Sequence, residues 1–106
     1  MSEGAGAMRA RITLQWPARV ADEIGGAATL WTSAGDVWAE IAASSVSDSA
    51  DYDTARSTVG YTLSIYRRAD VRAGWRVLWG GRRLRIAAVR DDGAPRIVLV
   101  CEEEKL

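Results

Sequence analysis

The residues able to do chemistry in this chain are few, and their spacing builds no catalytic set. Histidine is absent and Cys101 is the only cysteine. Histidine-based triads, imidazole acid-base catalysis and the common zinc catalytic sites therefore have nothing to be made from. Cys101 has no partner for an internal disulfide and no neighbouring base in the sequence to activate it, so it reads as a core residue suited to a reducing compartment. The carboxylates Asp48, Asp51 and Asp53 come nearest to a ligand cluster. A calcium loop also needs a glycine at its sixth position and a bidentate glutamate at its twelfth, and both are missing, which leaves a solvated acidic loop. Gly4-Ala5-Gly6 lacks the preceding strand and third glycine of a dinucleotide fingerprint. The expectation is no catalytic residue, no cofactor and no metal.

Composition narrows the class further. A chain of 106 residues supports one domain, and such a chain buries only about 60 to 68% of its unfolded surface. Fourteen basic and fourteen acidic side chains cancel, which argues against a protein that grips nucleic acid by charge alone. All the basic residues except Lys105 are arginine, the side chain suited to forked contacts with carboxylates and phosphates in interfaces. Five tryptophans and three tyrosines stand without a phenylalanine. Aromatics that carry a polar handle are enriched at interfaces, so at least one of this set is expected there. No apolar run is long enough to span a membrane, and no secretory signal pattern is present.

The elements that must position these residues are strands. From Gly60 onward the pattern alternates: Tyr61, Leu63 and Ile65, then Trp75, Val77 and Trp79, then Leu84 and Ile86, then Ile97, Leu99 and Cys101. Period two over four segments predicts a half-buried antiparallel β-meander. Gly80-Gly81 supplies a tight hairpin with positive φ available at both central positions, and Asp91-Asp92-Gly93 a second turn. Upstream, Ile12, Leu14 and Trp16 are expected to point inward from a first strand that Pro17 ends. Residues 17–28 read as a long connection. Thr29 to Thr32 and Asp36 to Ala43 read as a second strand or a hairpin, separated by turn chemistry at Ser33-Ala34-Gly35, with Trp38 in the core or against a neighbouring subunit. Closing such a sheet buries its face, so the predicted fold is all-β: a small antiparallel barrel of five to six strands over residues 9–104, preceded by a flexible tail at 1–8. One long polar loop projects from it. Ser44, Ser45, Val46, Ser47, Asp48, Ser49, Ala50, Asp51, Tyr52, Asp53, Thr54, Ala55, Arg56 and Ser57 contain too little apolar surface to offset their ordering entropy.

The order and spacing of several motifs resemble the phage head-tail adaptor or head-completion (stopper) proteins, including prophage and gene transfer agent versions. The resemblance rests on Asp36-Val37-Trp38-Ala39-Glu40-Ile41, on the strand Thr62-Leu63-Ser64-Ile65-Tyr66-Arg67-Arg68, on Trp75 through Val89 with its Gly80-Gly81-Arg82 turn, and on the closing Leu99-Val100-Cys101-Glu102-Glu103. It covers about two-thirds of the chain, although Trp75 stands where a smaller or unbranched apolar residue is usual.

The resemblance implies a virion structural protein at the capsid-tail junction, assembled in the host cytoplasm. Copies would form a homo-oligomeric ring, sixfold in preference to twelvefold, with a portal or adaptor ring on one face and a tail or tail-terminator ring on the other. Loop 44–57 would project into the central channel and hold packaged double-stranded DNA without reading its sequence. Arg56, Arg67, Arg68, Arg83 and Arg85 are then candidate contacts with DNA phosphates or with a neighbouring subunit, although a solvated polar face is the plainer reading of Arg83 and Arg85. Two other readings share the small β architecture. One is a tail terminator or other tail-tube component. The other is a nucleic-acid-binding small barrel, disfavoured by the neutral charge and the lack of a basic stacking strip.

Overall fold

In the computed structural model, residues 9–21, 23–44, 47–48 and 57–104 are described. The strands are β1 (Ala10–Ala21), β2 (Ala27–Ala43), β3 (Ser47–Asp48), β4 (Ser57–Thr58), β5 (Gly60–Tyr66), β6 (Arg76–Trp79), β7 (Arg82–Arg90) and β8 (Arg96–Glu103). Six of them close into an antiparallel barrel in the order β1-β2-β5-β8-β7-β6. The all-β barrel expected from the alternation is therefore the observed fold.

The core is the inward set of the predicted alternation. Leu14, Leu63, Ile65, Val77, Leu84, Ile86 and Leu99 are fully buried, and Ile12, Ile97 and Cys101 nearly so. Tyr61 and Trp75 cap this cluster, while Trp79 packs against it from a half-buried position. Register supports the phase, since Tyr61, Leu63 and Ile65 stand opposite Cys101, Leu99 and Ile97.

Several expectations about the first half of the chain are corrected. Pro17 does not end β1, which continues to Ala21 with Pro17 opposite Trp31. Residues 17–28 are not a long connection: 17–21 and 27–28 belong to the two paired legs of a hairpin. Of the two readings of 29–43, the single strand holds and the hairpin does not: β2 runs unbroken for 17 residues, and the turn chemistry of Ser33-Ala34-Gly35 is used for a bulge. The register moves from Leu14↔Gly35 to Gln15↔Ser33, leaving Ala34 as the extra residue, and Gly35 takes φ +105°. A bulge re-aims the strand beyond it. Trp38 accordingly points outward, 51% exposed, while Ala39 is buried and Val37 and Ile41 pack on the core. Trp16 keeps the inward phase of Ile12 and Leu14, yet it is 38% exposed because β1 has already passed the barrel rim.

The strand order also departs from a meander. β6, β7 and β8 are hairpin-connected neighbours, but β5 lies beside β8, so the chain crosses one end of the barrel between Tyr66 and Arg76. This four-strand arrangement is a Greek key. Val71 and Trp75, both buried, come from that crossover and plug the barrel end beneath it. At the opposite end the β6-β7 hairpin turns through Gly80-Gly81, where Gly80 alone lies at positive φ (+60°). A two-residue hairpin with glycine first needs only that one.

Candidate functional site

The topology sorts the chain's unusual features to two ends of the barrel. Because β1, β2 and β5 run antiparallel, the β2-to-β5 connection that holds loop 44–57 leaves from the end opposite the β1-β2 hairpin. The Gly80-Gly81 turn and the last described residue, Glu104, share the loop's end. The other end carries the hairpin, the crossover at 67–75 and the turn at 91–95.

Of the loop, only its margins fall within the described residues. Ser47 and Asp48 of β3 pair antiparallel with Thr58 and Ser57 of β4, and the Ser44 amide donates to the Gly60 carbonyl at 2.8 Å. The loop thus leaves the barrel as a short two-stranded stem. Ser45, Val46, Ser49, Ala50, Asp51, Tyr52, Asp53, Thr54, Ala55 and Arg56 lie outside the described residues. Beside the stem's end of the barrel, Arg82 donates to the Tyr61 hydroxyl at 3.0 Å, and its guanidinium stands 5.0 Å from the Trp79 ring centre. Tyr61 and Trp79 meet edge to face, 5.4 Å apart. Arg82 escaped the sequence reading as a site residue; only its place after Gly80-Gly81 marked it.

Arg67 and Arg68, expected to reach toward phosphates or a neighbour, are engaged within the chain. The Arg67 guanidinium pairs with Asp91 and donates to the Ala94 carbonyl at 2.6 Å, while its amide donates to the Pro95 carbonyl. Those bonds fasten the end of β5 to the β7-β8 turn. The turn itself is set as its residues predict: the Asp91 carboxylate accepts from the Gly93 amide and Asp92 from the Ala94 amide. The hydrogen bond from Arg67, then that from the Gly93 amide, holds Asp91 below the usual carboxylate range. Arg68 forks onto both oxygens of Asp70 and donates to the Ala34 carbonyl on β2 at 3.2 Å. Its hydrogen bond lowers the Asp70 pKa in the same way.

Arg83 and Arg85 lie on the outward face of β7, as the alternation predicts. Arg85 reaches Glu102 on β8 only at 3.9 Å, with both side chains about half exposed, a pair of little energetic weight. The five candidate arginines are therefore not gathered in one place: Arg67 and Arg68 sit at the hairpin end, Arg83 and Arg85 on a side wall, and Arg56 outside the described residues. Among the described residues no group of three or more cysteine, aspartate and glutamate side chains is placed to hold a metal ion. A cavity of about 400 Å³ lies at the hairpin end, lined by Trp16, Pro17, Asp70, Arg72, Ala73 and Trp75, and the barrel has two dissimilar ends.

Solved structures resemble this arrangement over nearly their whole length. A chain from the virion of a native gene transfer agent particle superposes with a TM-score of 0.72 at 27% identity, covering 94% of this chain and 96% of that one. The solution structure of protein SF1141 from Shigella flexneri 2a gives 0.68, also at 27% identity, covering 97% and 96%. Among curated proteins no sequence matches. The family model for phage head completion protein matches residues 4–104, nearly the whole chain. On that match, with a fold shared by a gene transfer agent virion protein, the chain belongs to the phage head completion protein family.

Proposed function

We propose that the protein acts as a stopper: a ring of copies at the capsid-tail junction, below the portal and adaptor, that retains packaged DNA and offers the tail its attachment surface. The observation that carries this reading is the polarity of the barrel. A subunit held between two different partners needs two unlike ends, and here the acidic loop leaves one end on the β3-β4 stem while the hairpin and the Arg67-pinned turn occupy the other. Loop 44–57 contains three aspartates against one arginine, Arg56. Loops crowded around a channel would repel phosphates and each other, which suits a plug that must yield at ejection. Arg83 and Arg85, outward on β7, and Arg56 of the loop would supply cations for a neighbouring subunit's carboxylates or for DNA phosphates. Arg67 and Arg68 would take part only by giving up their bonds to Asp91 and Asp70.

Replacing residues 45–56 with a few glycines and serines tests this reading, since loop length alters closure entropy only slowly and the barrel should still fold. Particles carrying the shortened chain are expected to fill with DNA and lose it before tails attach. Normal genome retention and normal tail joining would refute the gating role.

A further inference from the structure

The β1-β2 hairpin continues well beyond the barrel, and one of its faces is apolar. On the barrel side of the pair, β1 is bonded to β6 only at Thr13 to Gln15, and β2 to β5 only at Glu40 to Ala43. Residues 16–21 and 27–33 therefore form a ribbon with no third strand. Opposite residues share a face, so the register Trp16↔Thr32, Ala18↔Leu30, Val20↔Ala28 gathers Trp16, Ala18, Val20, Ala28 and Leu30 on one side. Trp16, Val20 and Leu30, at 38, 45 and 58% exposure, are three of the six large hydrophobic side chains left exposed among the described residues. The other face is partly used within the chain, because Trp31 lies under the Arg76 guanidinium at 4.0 Å.

An isolated two-stranded ribbon is marginal in water, so a partner for the apolar face is called for. Strand addition along its edges is poorly supported. Pro17 contributes no N–H to β1, and Arg68 already occupies the Ala34 carbonyl of β2. DNA is an unsuitable occupant for an uncharged face. The same chain carries a second exposed apolar patch away from the ribbon: Trp38 and Tyr66, at 51 and 63%, on the outer face of the β2-β5 wall. The ion-paired Arg11 and Arg96 lie against these two rings, their guanidinium groups 5.9 Å and 5.6 Å from the Trp38 and Tyr66 ring centres.

We infer that the ribbon's Trp16-Val20-Leu30 face packs on the Trp38-Tyr66 wall of the next copy. Two different patches on one chain make a head-to-tail contact, which builds a ring where its rotation closes and never a two-fold dimer. The inference rests on the ring reading above and names its interface. Each patch is only two or three part-exposed side chains, far short of the roughly 1,200 Å² total of a stable pair. The contact is therefore weak singly and is secured by repetition on a symmetric template.

Disulfide trapping in assembled particles tests this, using the full chain with Leu30→Cys and Tyr66→Cys together; native Cys101 is buried and supplies no competing thiol. Mild oxidation is expected to give a ladder of covalent multimers from the double variant and only monomer from either single variant. Dimers from Leu30→Cys alone would show the ribbon pairing with itself and overturn the inference. So would the absence of a ladder in particles where microscopy shows a ring of this chain, an outcome that leaves the ring reading standing. Particles with no such ring would refute that reading and this interface with it. A second measurement is incorporation into particles: Leu30→Asp should lower it at least tenfold, and Thr29→Asp, on the ribbon's other face, should not. Equal incorporation of the two, or Leu30→Asp rings that form normally but fail to bind tails, would assign the face to another partner and overturn the proposal.

Discussion

Ile65 and Trp38 were both expected in the core, and the structure separates them sharply enough to predict opposite outcomes on truncation. Ile65 has no exposed surface and stands opposite Ile97 on β8, within the main cluster. Ile65→Ala removes buried methyl and methylene groups and leaves a cavity that rigid β5 and β8 cannot close, at a cost of about 2 to 5 kcal/mol. A domain of this size is stable by only about 5 to 15 kcal/mol, so a substantial share of the total is at stake. At about 4 to 8 °C per kcal/mol, the thermal midpoint should fall by at least about 8 °C. Trp38→Ala deletes a larger side chain that is half in solvent, together with a stacking contact in which the Arg11 guanidinium stands 5.9 Å from the ring centre. An exposed contact of that kind contributes only about 0.5 to 1 kcal/mol. Urea titrations of both variants, followed by far-ultraviolet circular dichroism with unchanged slopes, give the two numbers directly. Equal losses, or a greater loss for Trp38→Ala, would refute the outward placement of Trp38 and the bulge that produces it.

Other consequences follow from single groups. Gly35→Ala places a Cβ where no atom lies within 4 Å, so its whole cost is backbone strain at φ +105°; about 1 to 3 kcal/mol is expected in the same urea assay. The Asp91 carboxyl has its folded pKa depressed by Arg67 and the Gly93 amide. The stability it contributes is thus present above the unfolded value of about 3.9 and is lost as pH falls through the lower folded value. Asp91→Asn should flatten that acid limb, and a wild-type carboxyl titrating by NMR at or above the ordinary value would contradict the pairing. Burial pushes the Cys101 thiol up to about 12 from its ordinary 9.0. Its folded form holds the proton longer, so stability should decline as pH rises from 9.0 toward 12. A thiol reagent at pH 8 should label the native chain only as fast as it unfolds.

Local pattern carried the second half of the chain because each of its strands is short, half-buried and bounded by turn residues. Alternation alone phases Leu63, Ile65, Leu84, Ile86, Ile97 and Leu99, since inward and outward positions differ by solvation at every step. The absence of histidine and the balance of charge were equally legible, because they are properties of composition. Other features depend on contacts between residues far apart in sequence. Ser33-Ala34-Gly35 has the same chemistry in a turn or in a bulge, and only pairing with Leu14 and Gln15 across β1 selects the bulge and turns Trp38 outward. Pro17 ends a strand that needs its N–H, yet is tolerated where the second edge of β1 goes unpaired beyond Gln15. Period two does not say which strands pair, so the Greek key order and the crossover that buries Val71 and Trp75 were decided by closure of the sheet. Arg67 and Arg68 looked available because Asp91, Ala94 and Ala34 are remote in sequence. Tertiary folding brings those acceptors to the guanidinium groups, and the same folding leaves Trp16, Val20 and Leu30 on a ribbon outside the core their apolarity would suggest.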